Sequence, residues 1–416
     1  LERRALRPQV VGAMVRAHDH PVRCGSDRPL ERPLDILVVA ACPFPYPRGT
    51  PIRILRTAEA LLDRGHRVRV VTYHLGRGEA DPRLAITRLP RGLGYRKTSP
   101  GPSIVKLVAL DPQLAWTLRR ELAREPADVL YAHHYEGLLV ALTARLGLRS
   151  RPPLVFDLHT LLASELPSYS GGLPSGPVRR LALAIDRRLP RRADHLTTVT
   201  DRIRDKLIGE LGVPAERVTT VANGVEVDHF ASVPPAGPIE GDRAPRILFT
   251  GNPAPYQRLD LLLEAFAKLA GRHPSAELVL SLDGDTAALR SRIAALGIAE
   301  RVTLRPAVPF AELPALLAEA DIAANPRTDA DGTPVKLLNY MAAGRPIVSF
   351  AGSAPGIVDG ETALLCPDGD TDCFARAMLR LIDDRALAAR LGAAARAHVD
   401  RTARWSRAAE TLERVM

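Results

Sequence analysis

Asp35-Ile-Leu-Val-Val-Ala40 and Arg246-Ile-Leu-Phe-Thr-Gly251 open two stretches of the chain that run alike. Each is a short, mostly apolar run, as expected of a parallel strand buried on both faces. A loop follows each, Pro43 to Pro51 in the first and Asn252 to Tyr256 in the second. Then helical spacing begins, with Ile54, Leu55, Ala58, Leu61 and Leu62 in one case and Leu261, Leu262, Ala265, Phe266 and Leu269 in the other. Gly65 and Gly271 end these helices, and new strands are read in Gly65 to Val71 and Ala276 to Leu280. The unit β-α-β is thus written twice, about half a chain apart. Strands alternating with helices place helices on both faces of a parallel sheet, so the fold class is α/β with two Rossmann-like domains.

The 416 residues are too many for one ordinary core and suit two such domains with a linker. Ala231 to Pro245 is that linker, because Pro234, Pro235, Gly237, Pro238, Gly241 and Pro245 break helix and sheet alike. The expected organisation is a disordered leader over 1–32, a first domain over 33–230, the linker 231–245, a second domain over 246–395, and a terminal helix over 396–416 packing back on the first domain. The second domain continues with strands at Arg301 to Leu304, Asp321 to Ala324 and Pro346 to Phe350. Helices are read at Leu313 to Ala320 and Val335 to Ala343, and the tail from Thr371 is mostly helical.

The composition, 46% hydrophobic and 25% charged, is that of a soluble globular protein. No stretch approaches the roughly 18 uninterrupted apolar residues of a membrane-spanning helix. The Arg-rich start has no apolar core of a signal peptide. Cys24, Cys42, Cys366 and Cys373 include no C-x-x-C pair, so neither a disulfide framework nor a zinc site is expected, and the expected location is the cytoplasm. Residues 1–230 hold 36 Lys and Arg against 24 Asp and Glu, whereas 231–416 hold 21 against 23. The basic half attracts anionic surfaces. Aromatics are only 4%, which leaves no base-stacking platform and argues against nucleic acid. Between Pro177 and Arg192, Leu181, Ile185 and Leu189 recur every four residues among six arginines. Such a helix either packs on the sheet by its leucines or lies on an anionic membrane, at the inner face.

The most informative segment is D-A-D-G-T-P-V-K-L-L-N-Y-M-A-A-G-R-P, Asp329 to Pro346. Thr333 reads as an N-cap with Pro334 in the first helical position, and Gly344 ends the helix. The free amides of such a start suit a phosphate. Lys336 adds a charge in the first turn, Asn339 follows on the same side, and Asp331 and Gly332 precede the helix. An ordinary capped surface helix is the competing reading. Ligands of open α/β sheets bind beyond the carboxyl ends of strands. The loop after Thr250 offers Asn252, with Arg258 as a phosphate fork; its counterpart in the first domain offers Gly49 and Thr50. His159 ends the strand Leu154 to Leu158, where it can hold a sugar hydroxyl or share a proton. His133 and His134 follow the strand Asp128 to Ala132 and are weaker candidates, for an acceptor.

In order along the chain these segments resemble the family-4 retaining glycosyltransferases of the two-Rossmann GT-B type. The resemblance rests on Pro43-Phe-Pro with Arg48-Gly-Thr50, Arg64-Gly-His-Arg-Val68, Asp157-Leu-His159, Asn223-Gly-Val-Glu-Val-Asp228-His-Phe230, Phe249-Thr-Gly-Asn252 with Leu259-Asp-Leu-Leu262, and Lys336-Leu-Leu-Asn-Tyr-Met-Ala-Ala-Gly-Arg-Pro346. It implies a nucleoside-diphosphate sugar in the second domain, a glycan or lipid-linked acceptor on the first, and retention of configuration. The sugar nucleotide is the substrate; no cofactor and no metal are expected. The family's E-x7-E reads D-x7-N here, at Asp331 and Asn339, and Asn252 and Gln257 stand where its basic pair falls. These departures motivate an alternative, a protein that binds nucleotide or a partner without turnover. A dinucleotide oxidoreductase is excluded because no G-x-G-x-x-G follows either opening strand.

Overall fold

The computed structural model describes the chain except residues 1–31, 47–48, 92–94, 99–100, 102, 167–174, 240–242, 330–333 and 355. The expected leader therefore lies almost wholly outside the described residues, as do Asp331, Gly332 and Thr333.

The first domain carries β1 (Asp35–Ala40), β2 (Arg67–Thr72), β3 (Ala85–Arg88), β4 (Val129–His133), β5 (Leu154–Leu158), β6 (His195–Thr198) and β7 (Val218–Thr220). They form one sheet in the order β3-β2-β1-β4-β5-β6-β7, every neighbouring pair parallel. Its helices include α1 (Gly49–Asp63), α2 (Asp111–Arg124), α3 (His134–Arg145), α4 (Leu162–Glu165), α5 (Ser175–Arg188) and α6 (Asp201–Gly209). The second domain carries β8 (Arg246–Gly251), β9 (Glu277–Leu282), β10 (Val302–Pro306), β11 (Ile322–Asn325), β12 (Ile347–Phe350) and β13 (Leu364–Cys366), in the parallel order β10-β9-β8-β11-β12-β13. Its helices are α7 (Leu259–Arg272), α8 (Ala287–Ala295), α9 (Leu313–Ala318), α10 (Val335–Ala342), α11 (Thr371–Asp383) and α12 (Arg385–Thr402).

The central strands are largely apolar because both faces are covered. In β1, Leu37 and Val39 enter one core, while Ile36, Val38 and Ala40 enter another on the opposite face. Strand order reverses between β1 and β4 in one sheet and between β8 and β11 in the other. Such reversal points open a crevice beyond the carboxyl ends of the strands, and each domain contributes one.

The last helix, α13 (Trp405–Glu413), leaves the second domain and joins the first. Trp405, Ala408, Ala409 and Leu412 pack in the core beneath β1 and α1. Glu413 accepts from Arg64 Nη2 at 2.5 Å and meets His66 Nε2 at 2.7 Å. The chain thus crosses between domains twice, and the two crossings touch. Val225 N donates to Ala403 O at 2.7 Å, and Arg404 pairs with Asp228 at 2.8 Å.

Two expectations fail here. Cys366 at the end of β13 and Cys373 in the first turn of α11 form a disulfide, with Cα atoms 5.7 Å apart. The loop between them turns back because Asp370 caps α11, accepting from Cys373 N at 2.8 Å. The absence of C-x-x-C therefore did not exclude a disulfide. Ile185 on α5 and Leu189 just after it pack on the core, but Leu181 on α5 is 60% exposed. The helix rotates because its fully buried Asp186 accepts from the amides of Leu162 and Ala163 at the start of α4 and from the hydroxyl of Tyr135.

Where α12 crosses the end of α10, a Cβ at Gly392 would overlap the carbonyl oxygen of Gly344. Backbone cannot yield as a side-chain tip can. Gly392→Ala is expected to lower stability by about 1–3 kcal/mol, read as a fall in the thermal midpoint.

Candidate active site

The carboxyl ends of β4 and β5 bring the first domain's candidates together around one carboxylate. Asp157, the fourth residue of β5, is fully buried. It accepts from Arg53 Nε at 2.7 Å, Arg53 Nη2 at 3.0 Å and Thr197 Oγ1 at 2.6 Å. His159 Nε2 lies 2.9 Å from its Oδ2, and His133 Nδ1 lies 3.1 Å from the same oxygen. Burial alone would raise the Asp157 carboxyl; Arg53 and the two histidines instead hold it well below the usual carboxylate range. His159 is pushed down to about 4 by burial, which outweighs the opposing pull of Asp157, with Arg53 and His133 adding to the fall. It is therefore neutral at pH 7. Its other nitrogen, Nδ1, stands 3.2 Å from Thr50 Oγ1 in the first turn of α1.

The donor atoms of His133, Asp157 and His159 lie within 4.8 Å of one another, a spacing that could hold a metal ion. Arg53 already supplies the positive charge on that carboxylate, so we read the cluster as an ion-pair network. His133 is 2% exposed and belongs to this network, which corrects its placement as an acceptor contact. His134 is more open and backbone-strained, with φ of 65°. Its ring sits 3.2 Å from Glu136 and 3.5 Å from Glu165. Burial opposes its charge, but the two carboxylates raise it to about 10, leaving an imidazolium beside His159 with ring centres 6.0 Å apart. At Gly49 an added Cβ would meet nothing within 4 Å, so the packing there does not demand glycine.

In the second domain the group forms at the carboxyl end of β8. Lys336, in the first turn of α10, is half-buried and donates to Gln257 Oε1 at 2.6 Å. Its ammonium stands 3.8 Å from the centre of the Phe249 ring, and a Cβ at Gly251 would come within 3.0 Å of it. Burial and the nearby Arg327 push the Lys336 amine well below its ordinary range. Asn339 lies one turn further along α10 and is 8% exposed. Pro334, with ψ of 126°, is extended and occupies the cap position of α10 instead of its first helical residue. Asn252 shapes the loop, donating to Tyr256 Oη at 2.9 Å and accepting from Ala254 N at 3.1 Å. Arg258 turns away. Its left-handed backbone carries the guanidinium to Asp260 at 2.9 Å, while the preceding Gln257 points inward. The expected phosphate fork is thus engaged at the helix start.

The residues from 47 to 229 match the model of Glycosyltransferase Family 4, and those from 244 to 384 match Glycosyl transferases group 1. The chain belongs to the family-4 glycosyltransferases. A D-inositol 3-phosphate glycosyltransferase of Nocardia farcinica is 28% identical to it, covering 93% of this chain and 90% of the relative. A GDP-mannose-dependent alpha-(1-6)-phosphatidylinositol monomannoside mannosyltransferase of Mycolicibacterium smegmatis is 32% identical over 53% of this chain and 60% of the relative. Among solved structures, sucrose-phosphate synthase from Thermosynechococcus elongatus superposes with a TM-score of 0.76 at 17% identity, covering 91% of this chain and 97% of that one. Anabaena HepE in complex with UDP and glucose gives 0.69 at 18%, covering 92% and 99%. These likenesses establish the GT-B fold, two Rossmann-like domains facing across a cleft. The family-4 enzyme is a hexosyl-type transferase that uses a nucleotide-sugar donor.

Two site residues went unread in the sequence. Arg327, two residues beyond β11, stands over the Tyr256 ring at 5.0 Å and beside Lys336. Its position after a strand end was the available signal. Arg53 had none, because its partner Asp157 lies 104 residues away.

Proposed function

We propose that the enzyme moves a hexose from a nucleoside diphosphate to an envelope, polysaccharide or glycolipid acceptor with retention of configuration. The observation that carries this reading is His159 at the carboxyl end of β5, held 2.9 Å from the buried Asp157, in the domain opposite Lys336. In it, the amides at the start of α10 and Lys336 hold the departing diphosphate, and this electrostatic stabilisation is the main catalytic effect. Asn252, Thr50, Gly49 and Asn339 are the donor-binding residues of this reading, with Asp331, Gly332 and Thr333 as further candidates in the sequence before α10. His159 holds a hydroxyl of the donor sugar. Retention is supported by the resemblance to retaining family members. It agrees with the burial of Asp157, whose lone pairs are occupied by five donors and which is not available as a nucleophile. The relatives' names favour a UDP- or GDP-hexose and an acceptor bearing phosphate. The anomeric configuration of the product, read by NMR, tests the reaction course. The donor's configuration is expected, and an inverted product would contradict it.

A lipid-linked acceptor suits the surface of the first domain. Arg180, Leu183, Ala184, Arg187, Arg188 and Arg191 line a surface hollow of about 510 Å³ on α5, beside the exposed Leu181. Ile104, Leu107 and Val108 are also exposed, just before α2. Among the described residues no helix is long and apolar enough to cross a membrane. Peripheral contact is the reading these features support, each arginine near an anionic surface contributing on the order of 1 kcal/mol. Arg191 holds the carbonyls of Leu211 and Gly212, so the test spares it. Wild type is expected to sediment with anionic vesicles at low salt and to be released at high salt. Replacing Arg180, Arg187 and Arg188 with Gln is expected to weaken sedimentation. No sedimentation at low salt, or sedimentation unaffected by these substitutions, would remove the membrane contact and favour a soluble acceptor.

A further inference from the structure

Asp157 is an ionised carboxylate, so both oxygens only accept. His159 Nε2 stands 2.9 Å from one of them and must therefore carry a hydrogen, since two lone pairs would otherwise face each other. A neutral imidazole has one ring proton. With that proton on Nε2, Nδ1 is bare, and the 3.2 Å contact to Thr50 is a hydroxyl donating into the ring. We propose that Asp157 is a positioning residue which, clamped by Arg53 and Thr197, fixes His159 as its Nε2–H tautomer and leaves Nδ1 as a hydrogen-bond acceptor turned to Thr50 and the cleft. This rests on the reading that His159 meets the donor sugar, and it specifies that contact: the sugar hydroxyl donates to Nδ1 in place of the Thr50 hydroxyl, and the histidine accepts.

The clamp is built to resist rotation. Arg53 is 2% exposed and offers Asp157 a two-pronged contact, Nε to Oδ2 and Nη2 to Oδ1. The same guanidinium donates to Asn223 Oδ1 at 3.0 Å and to Val221 O at 2.8 Å, at the first crossing between the domains. The carboxylate cannot turn without breaking that fork, and neither can the ring that depends on it. His133 Nδ1 lies 3.3 Å from His159 Nε2 and confines the ring from the side. A ring so held presents Nδ1 in one direction before any ligand arrives, which lowers the cost of ordering it during transfer. The carboxylate behind a reacting histidine plays the same part in hydrolytic triads, where its amide replacement keeps the geometry but reverses the tautomer.

The test is 15N NMR of histidine-labelled wild type, with His159 assigned by the signal lost in His159→Gln. An unprotonated Nδ1 and a protonated Nε2 are expected at pH 7, and the opposite tautomer would overturn the proposal. Asp157→Asn is expected to disturb this pattern and to cut kcat on the order of 10²-fold while leaving the donor KM within a few-fold. Should Asp157→Asn not fold, Arg53→Lys keeps the charge and loses the fork. A mixed tautomer and a lower kcat are then expected, whereas an unchanged tautomer with wild-type kcat in that variant would overturn the clamp. An Nε2–H tautomer in a protein whose His159→Ala variant transfers sugar normally would leave Asp157's hold on the ring standing and remove the sugar contact instead.

Discussion

His159→Ala lowers the rate of sugar transfer on the order of 10²–10³-fold and leaves nucleotide affinity within a few-fold of wild type. The split follows from the two-domain layout. His159 ends β5 in the first domain, whereas the diphosphate reading rests on α10 in the second. A group that touches only the sugar loses its effect in the transition state and leaves the nucleotide's hold intact. The histidine is also poorly suited to a purely structural part. It is the most open member of its cluster, with its side chain 11% exposed against 1% for His133. Steady-state kinetics together with calorimetric titration of the free nucleoside diphosphate measure both quantities. Transfer within a few-fold of wild type would make His159 structural.

Lys336→Ala acts on the other side of the cleft and weakens nucleoside diphosphate binding by about 10- to 100-fold, the loss of one charge-assisted contact of roughly 1.5–3 kcal/mol. A pH effect accompanies it. In the free protein, burial and Arg327 depress the Lys336 amine well below its ordinary range. A diphosphate at α10 favours the charged form and raises that value. Binding therefore takes up protons in the pH range between the free and bound values, and affinity falls as pH rises through it. Titrations in buffers of different ionisation enthalpy are expected to show uptake for wild type and none at this site in Lys336→Ala. Equal affinity and equal proton uptake in the two proteins would remove Lys336 from the donor site.

The architecture was largely legible because parallel strands covered on both faces declare themselves as unbroken apolar runs. Asp35–Ala40, Leu154–Leu158 and Arg246–Gly251 fall where the sequence placed them. The strands His195–Thr198 and Val218–Thr220 did not declare themselves, being short and rich in threonine. Position after a strand was the signal for Thr50, Asn252 and His159, and the helix start was the signal for Lys336, since ligands of open α/β sheets bind beyond the carboxyl ends of strands. Side-chain direction was beyond that reasoning. Gln257 and Arg258 are neighbours, yet only the left-handed turn at Arg258 decides which of them points inward. Leu181 kept the spacing of a buried stripe, but the buried Asp186 rotated α5 and put that leucine in solvent. Arg53 and Asp157, and likewise Cys366 and Cys373, are pairings that a linear pattern does not encode.

The central claim is that this cleft transfers hexose from a nucleoside diphosphate, with Lys336 holding the diphosphate and His159 the sugar. The direct measurement is a screen of wild type, Lys336→Ala and His159→Ala against UDP-, GDP- and dTDP-hexoses, following nucleotide binding by thermal shift and nucleoside diphosphate release by coupled assay. The account predicts that at least one sugar nucleotide both stabilises wild type and is turned over, that Lys336→Ala loses the stabilisation, and that His159→Ala keeps the stabilisation while losing the turnover. A wild-type protein stabilised by a sugar nucleotide that it never cleaves, with or without glycan and lipid-linked acceptors, would contradict it.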